Sequence, residues 1–356
     1  MEFGVAFTSR ITDHHLVALA ERLGYAQAWF YDSQMIYSDV YATMALAADR
    51  TARIRLGTGV AVPTTRMAPV IAHSIATINA LAPGRVELGI GAGNTARLTM
   101  GLRPMSLAVL KREVRLIRTL LDGGTGVLHA EGEEHRVRFL HPHHGFINLK
   151  DRIPITVSAL LPKALAFCGA EADGHMTWGV TPEILRWERE AIAGAARGAG
   201  RDPAAVPSKG IFPTAVLARG ETSASPRVLR SLAPFITNFL HVQVEWGGSP
   251  LGAPPGAQGV IERYRRYAAA LPAETRHLLL HEGHLVYARE DEQPFITPAL
   301  AEAAALIGEP DALIERIRAL DAAGLAHFAF QVTEEPEREM RDFAALIMSR
   351  YPGRAS

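Results

Sequence analysis

The residues of this chain that could do chemistry stand where short apolar runs end. Asp32 closes one run, glycine-rich segments at 57–60 and 89–94 close two others, and residues 158–162 follow a fourth. Glycine lets a ligand approach the backbone closely. A flat ring lying against these segments would explain the glycines. Tight turns between strands and helices would also explain them, because short glycine motifs alone are weak evidence.

The fourth segment suggests a place for a phosphate. Residues 158–162 lead into a stretch with helical spacing that begins at Pro162. Free backbone N–H groups at the start of a helix attract anions, and the helix dipole adds to this attraction. Lys163 brings a positive charge to the same place. The alternative is an ordinary strand-to-helix turn.

Alternating strand and helix patterns position these residues in the first half of the chain. Apolar runs predict strands at 3–7, 26–31, 54–62 and 86–90. Apolar residues at 3.6-residue spacing predict helices at 13–23, 40–50, 69–81 and 107–121. Four β-then-α units favour a parallel sheet whose strands are buried on both faces. The periodicity fits a closed barrel and an open doubly wound sheet equally well.

The second half repeats the pattern less regularly. Further strands are predicted at 153–157, 175–180, 211–218 and 328–332. Further helices are predicted at 162–171, from Thr181 onward, and at 311–320 and 335–351. The segments near 126–150 and 220–300 fit neither pattern, so we expect insertions there. Without a low-complexity linker, residues 1–356 are predicted to form one α/β domain.

Composition excludes several classes of function. Lys plus Arg and Asp plus Glu both number 37, so the formal net charge is zero, which argues against a nucleic-acid or acidic partner. No apolar stretch is long enough to span a membrane, and no basic, cleavable leader precedes the first strand. The single cysteine, Cys168, cannot form an internal disulfide. We therefore expect a cytoplasmic protein.

Other site types are poorly supported. The 89–94 segment lacks G-x-G-x-x-G spacing, and there is no P-loop. His141, His143 and His144 lie without matched cysteine or carboxylate spacing, so we expect no metal. The segment 281–284 (HEGH) misses the H-E-x-x-H spacing of zinc proteases by one residue. Because it falls in an apolar run at 278–286, it suggests a strand end where His281, Glu282 and His284 could bind substrate or carry a proton.

Five motifs, in order and at matching spacing, resemble the luciferase-like flavin and deazaflavin oxidoreductase superfamily. They are LGYAQAWFYD (23–32), LGTGVAVPTTRMAPVIA (56–72), INALAPGRVELGIGAGN (78–94), PITVSALLPKALAFCGAEADG (154–174) and IGEPDALIERIRALDAAGL (307–325). The resemblance covers nearly the whole chain and is weakest at 220–300. It implies a (β/α)8 TIM barrel with insertions near 126–150 and 220–300, whose active site lies at the C-terminal ends of the strands.

The resemblance also implies a cofactor, either the deazaflavin coenzyme F420 or FMN. Gly59-Val60 falls where the deazaflavin branch often has a non-prolyl cis peptide against the ring. Positions that correspond to ring or ribityl contacts are Asp32, Gly91, Ala92, Gly93 and Asn94. Positions that correspond to the phosphate-binding turn are Ser158, Ala159, Leu160 and Leu161. Tyr31 and Trp178 stand at predicted strand ends, where an aromatic side chain belongs either to the core or to the cofactor site.

Three departures from the family pattern bear on chemistry. Ser33 stands where many members carry a proton-donating His, and Asn94 stands where the sugar-phosphate dehydrogenase branch carries Glu. Leu160 stands where the flavin monooxygenases tend to have a phosphate-binding Ser, which disfavours FMN. Candidate catalytic residues are therefore Asp32, Asn94, His281 and Glu282.

We hypothesise an F420-dependent reductase that transfers hydride between C5 of the coenzyme and a C=C, C=N or C=O bond of a small molecule. The alternatives are an FMN-dependent monooxygenase supplied by a partner reductase, and a non-catalytic flavin-binding barrel. The family resemblance also suggests a homodimer.

Overall fold

The computed structural model describes residues 1–179, 181–246 and 256–351. Its strands, in chain order, are β1 (Glu2–Phe7), β2 (Gln27–Phe30), β3 (Arg55–Thr58), β4 (Val86–Ile90), β5 (Gly126–Ala130), β6 (Glu133–Val137), β7 (Ile155–Ser158), β8 (Gly174–Thr177), β9 (Ser208–Phe212), β10 (Thr214–Val216), β11 (Leu306–Gly308) and β12 (Leu325–Gln331). The helices are α1 (His14–Arg22), α2 (Val40–Asp49), α3 (Ala68–Leu81), α4 (Asn94–Leu98), α5 (Leu107–Leu121), α6 (Pro162–Glu171), α7 (Pro182–Gly198), α8 (Pro226–Glu245), α9 (Gln258–Ala270), α10 (Arg276–His281), α11 (Pro298–Ala304), α12 (Pro310–Ala322) and α13 (Pro336–Leu346).

Eight of the strands form a closed parallel barrel. Around the barrel they follow chain order as β1, β2, β3, β4, β7, β8, β9 and β12, and β12 pairs back with β1. This confirms the predicted (β/α)8 barrel and excludes the open sheet. Because all eight strands are parallel, their C-terminal ends meet at one mouth.

Local sequence explains where several helices begin and end. Pro162 and Pro182 occupy first-turn positions of α6 and α7, where a missing N–H group costs little. The Thr181 hydroxyl accepts a hydrogen bond from the Ile184 N–H and so caps the start of α7. Gly24, just after α1, has φ +89°, a conformation that glycine adopts without a steric penalty.

Three predicted strands are wrong in extent or type. The segment 54–62 is a strand only over β3, because the chain leaves the ladder after Thr58 and returns as a single bridge at Ala61. The segment 211–218 is divided: β9 ends inside the barrel, and β10 pairs with β11 outside it. The apolar run at 278–286 is not a strand end, because it contains the end of α10 and the turns that follow.

Both predicted insertions interrupt the barrel. The first contains the antiparallel hairpin of β5 and β6. The second leaves the barrel through β10, carries α8 to α11, and returns through β11. Its helices enclose an apolar cluster of their own, centred on Leu232, Ile236 and Tyr264. Most of the Pro- and Gly-rich stretch at 247–256 lies outside the described residues. Among the described helices, none combines the length and apolarity needed to cross a bilayer.

A polar network fills the N-terminal end of the barrel interior. The Lys209 ammonium on β9 lies 2.6 Å from both oxygens of the Glu87 carboxylate on β4. Gln27 on β2 donates to this carboxylate at 2.9 Å, and Thr156 on β7 donates to its other oxygen. Burial raises the pKa of Glu87, but the charge of Lys209 and the hydrogen bonds from Lys209, Thr156 and Gln27 together outweigh burial and hold the pKa below its usual value. One carboxylate thus connects four of the eight strands.

Replacing the cation should destabilise the barrel. Lys209→Met leaves the Glu87 carboxylate buried without a counter-charge, so we expect the free energy of unfolding to fall by about 3–5 kcal/mol. The double variant Glu87→Gln/Lys209→Met should recover much of that loss, because no charge remains buried. Urea unfolding followed by circular dichroism measures both. A loss below about 1 kcal/mol for the single variant, as for an exposed ion pair, would contradict this role.

Candidate active site at the barrel mouth

An apolar surface lines the C-terminal mouth of the barrel. We call it the mouth cluster; its members are Tyr31, Met176, Ile211, Val60, Trp178 and Leu285. The first three are buried, whereas the last three are only partly covered. Ring-sized ligands bind to surfaces of this kind, where apolar side chains remain accessible beside a few polar groups.

The two glycine-rich segments contact each other at this mouth. The Gly59-Val60 peptide is cis, as the family resemblance implies. A Cβ atom on Gly91 would lie 2.8 Å from Cγ2 of Val60, and one on Gly93 would lie 2.4 Å from Cγ1 of Val62. Gly93 also has φ +75°. The glycines after β4 therefore make room for valines after β3, a packing reason that exists with or without a ligand.

Asp32 is held by two neighbouring side chains. Both of its oxygens accept from Nη1 of Arg66 at 2.6 Å, and Gln34 donates to Oδ1 at 2.7 Å. Burial raises the pKa of Asp32, while the Arg66 charge opposes that rise. Arg66 also donates to Asp39 at 2.6 Å and lies over the Tyr41 ring. These partners hold Asp32 against Arg66 at the end of the β2 segment.

Asn94 begins α4 at the end of the β4 segment and is half-buried. Within residues 1–179, 181–246 and 256–351, no side-chain hydrogen bond involves its amide. An amide that lacks a partner at the mouth can bind a polar edge of a ligand. The next residue, Thr95, hydrogen-bonds through Oγ1 to Nε2 of His284 at 3.1 Å and so connects this segment to the second insertion.

The predicted phosphate turn is built on a buried histidine. Nε2 of His175 donates to the Ala159 carbonyl at 2.9 Å, and Nδ1 accepts from the Ser208 hydroxyl at 3.0 Å. Burial lowers the pKa of His175 to about 4, so the ring is neutral and suits this pair of bonds. Leu161 is the N-cap of α6 and is exposed, as is Lys163. The N-terminus of α6 is therefore accessible to an anion.

Trp178 connects this turn to the mouth cluster. Its Nε1 donates to the Ser158 hydroxyl at 3.3 Å, and its ring lies 6.5 Å from that of Tyr31. A ligand with a ring over the cluster and a phosphate at α6 would pass this tryptophan. Trp178 thus follows strand β8, as predicted, and can contact a cofactor there.

A buried glutamate supports the segment that carries Trp178. The Thr177 hydroxyl donates to Oε2 of Glu188 on α7 at 2.7 Å and accepts from the Gly179 N–H at 3.0 Å. Burial raises the pKa of Glu188 to about 7, and the bond from Thr177 offsets only part of that rise. The sequence does not predict this role for Glu188, because a glutamate on an amphipathic helix carries no signal of its burial.

The segment 281–284 reaches the mouth, but its members differ. His281 is buried with Nε2 2.7 Å from Oε1 of Glu245. Glu282 is exposed and lies 3.7 Å from Arg289, so it is not directed into the mouth. His284 is buried, and Tyr37 donates to its carbonyl at 2.9 Å. The sequence predicts no role for Tyr37 or His241. His241 and the hydrogen-bond partner of Tyr37 both lie in the second insertion, and their positions depend on how it folds back.

Gly91 offers a test of the contact between the two glycine-rich segments. Gly91→Ala places a methyl group against the stiff Val60 side chain, so overpacking should lower the free energy of unfolding by about 1–3 kcal/mol. Gly194→Ala on α7 is the matched control, because nothing lies within 4 Å of its added Cβ. It should be neutral or slightly stabilising. In a double-mutant cycle with Val60→Ala, the two losses should not add; simple additivity would contradict the contact.

Glu188 should give the protein a specific pH dependence. Its usual value is 4.5, so between about pH 4.5 and 7 the folded chain keeps a proton that the unfolded chain has released. The free energy of unfolding therefore falls as the pH rises through this window. Glu188→Gln should remove that fall and, relative to wild type, gain up to about 3 kcal/mol at pH 8 compared with pH 4.

Urea unfolding at both pH values measures the effect. Glu190→Gln, exposed on the same helix, is the matched control and should follow the wild-type profile. A constant difference between Glu188→Gln and wild type across this pH range would refute the raised pKa.

Comparisons with known proteins agree with this geometry. The family model of the luciferase-like monooxygenases matches residues 11–327. A 5,10-methylenetetrahydromethanopterin reductase of Methanolobus tindarius is 32% identical over 208 residues, which are 57% of this chain and 62% of that protein. This match thus spans less than two thirds of the relative. The reductase of the same name from Archaeoglobus fulgidus is 27% identical over 333 residues, 91% of either chain.

A solved structure shares the fold over its full length. The F420-dependent tetrahydromethanopterin reductase of Methanopyrus kandleri superposes with a TM-score of 0.71 at 19% identity and covers 99% of both chains.

Proposed function

The chain belongs to the luciferase-like monooxygenase family, and we propose that it is an F420-dependent oxidoreductase acting as a reductase on a small organic molecule. The family match confirms the resemblance indicated by the strand-end motifs. The observation that carries the proposal is the hydrogen bond between Trp178 and Ser158, since it joins an accessible apolar surface to an accessible helix N-terminus. That combination suits a ring with a phosphate-bearing side chain.

The residues of the mouth fit such a coenzyme. Val60 and Trp178 offer partly exposed apolar atoms to a ring. Gly91, Ala92 and Gly93 let the backbone after β4 lie close to the coenzyme ring. The Asn94 amide can bind a polar edge of that ring. The Ala159 N–H donates to the Met176 carbonyl, but the backbone N–H groups of Leu160 and Leu161, with Lys163, can hold phosphate. When bound, F420 would supply or accept a hydride at C5.

Two observations favour F420 over FMN. A relative from Rhodococcus erythropolis, 25% identical over 320 residues, is named as an F420-dependent glucose-6-phosphate dehydrogenase. Leu160 provides no hydroxyl where the flavin monooxygenases tend to have serine, so phosphate binding rests on backbone and on Ser158. Asn94 cannot take over proton transfer from the glutamate of the sugar-phosphate branch, because an amide does not titrate.

We also propose a partner enzyme, an oligomeric state and a role for the two insertions. A reductase needs its coenzyme returned to the reduced state, so we propose a separate F420-reducing enzyme as a partner. We also propose a homodimer, as the family resemblance suggests, and a single domain in which both insertions border the substrate pocket. The segments 126–150 and 220–300 would then decide which C=C, C=N or C=O compound enters.

Ligand titration tests the cofactor. F420 and FMN are titrated separately into the purified protein, and ligand fluorescence is followed. We expect micromolar binding of F420 and at least about tenfold weaker binding of FMN. Lys163→Ala should weaken F420 binding about threefold to tenfold, more at low salt, because the ammonium is exposed.

Lys150→Ala, an exposed lysine before β7, is the matched control and should bind like wild type. Tight binding of FMN alone would overturn the proposal in favour of a monooxygenase. Binding of reduced F420 without its oxidation by any acceptor in a broad C=C, C=N and C=O panel would favour a non-catalytic barrel.

A further inference from the structure

Three histidines of the second insertion converge on one buried point. His241 lies on α8, His281 ends α10, and His284 follows in the next turn. Their exposed fractions are 1%, 4% and 5%. One ring nitrogen from each lies within 4.8 Å of the others. The 40-residue separation of His241 from His281 explains why the sequence predicts no metal here.

The three rings are oriented from behind through Nε2. Nε2 of His281 lies 2.7 Å from Glu245, and Nε2 of His241 lies 3.1 Å from Glu292. Nε2 of His284 hydrogen-bonds to Thr95. Metal-bound histidines commonly donate their second N–H to a carboxylate or another acceptor, which fixes the ring and its tautomer. All three rings have such a partner.

The other nitrogen of each ring is left without a partner among the described residues. Nδ1 of His241, His281 and His284 is buried, and within residues 1–179, 181–246 and 256–351 it has no hydrogen-bond partner. A buried polar atom without a hydrogen-bond partner destabilises the folded chain, and here three such atoms occur together. A cation among them would satisfy all three. Its two positive charges would also balance the carboxylates of Glu245 and Glu292 behind the rings.

We propose that Nδ1 of His241, His281 and His284 binds a divalent transition metal, Zn²⁺ by preference. Three imidazoles are a common zinc ligand set in which the fourth position is left for water or a substrate oxygen. Around zinc at 2.0–2.1 Å, tetrahedral nitrogens stand about 3.4 Å apart, so nitrogens within 4.8 Å of one another would approach by at most about 1.4 Å. The ion would fasten α8 and the 281–284 turn to α4 at the barrel mouth through Thr95.

The site stands apart from the coenzyme proposal. Its ligands come from the insertion, and it requires no ring or phosphate at the mouth. If zinc binds but F420 does not, the proposed function fails while the metal site stands, and the reverse also holds.

Metal analysis of the full chain tests the site. The protein is stripped with a chelator, loaded with Zn²⁺ and gel-filtered, and its metal content is measured. We expect about one zinc per wild-type chain, bound to three imidazole nitrogens at 2.0–2.1 Å by X-ray absorption. The triple variant His241→Gln/His281→Gln/His284→Gln should retain none. Glu245→Gln should weaken zinc affinity about 10–100-fold, as loss of a ring-orienting carboxylate does.

Two controls separate this site from other histidines. His277→Gln changes a histidine of α10 outside the cluster and should retain zinc. The variant His141→Gln/His143→Gln/His144→Gln removes the exposed histidines of the first insertion and should also retain zinc. Wild-type protein that holds no more zinc than the buried triple variant would overturn the proposal. Loss of zinc only in the surface variant would do the same. If the buried triple variant does not fold, the surface variant and the X-ray absorption of wild type decide.

Discussion

The barrel depends on a buried carboxylate that requires a counter-charge and hydrogen-bond donors. Glu87 lies inside a ring of eight strands, where an unpaired charge would be costly. Lys209 meets it from across the interior, and Gln27 and Thr156 complete its hydrogen bonds. Such a pair is weak evidence for net stability. It does tie the strands together, because the groups that bind Glu87 come from three other strands, β2, β7 and β9.

The arrangement of the strands decides which segments meet at the opposite, C-terminal end of the barrel. With β3 and β4 fixed side by side, the chain after Thr58 must pass over the chain after Ile90. The valines at 60 and 62 then need glycines at 91 and 93 beneath them. The same closure brings the β7 and β8 ends together, so that Trp178 reaches Ser158. The apolar mouth and the helix N-terminus beside it follow from one closed ring of parallel strands.

The second insertion adds polar chemistry to this mouth. It leaves between β9 and β12 and folds back so that His284 reaches Thr95 and its carbonyl receives the Tyr37 hydroxyl. Leu285 joins the mouth cluster from the same turn, and Gln331 donates to its carbonyl at 2.7 Å. The insertion is thus bonded to three barrel segments, and the buried histidines lie within this connection. A metal there would stiffen the region that faces a substrate.

The sequence by itself determined the order of the eight barrel strands and of the main helices between them, because apolar periodicity, proline starts and the Thr181 cap act over a few residues. Strand-end motifs also indicated the family, and with it the barrel and the cis peptide at Gly59-Val60. Periodicity suits open and closed sheets alike, so before the structure only the family resemblance favoured a closed barrel, and the tertiary structure confirmed it. Tertiary structure also decided the surroundings of two candidate residues: Asp32 is held by Arg66, and Glu282 is exposed to solvent. The histidine cluster could not be foreseen, because its members meet only when a long insertion folds back over the mouth.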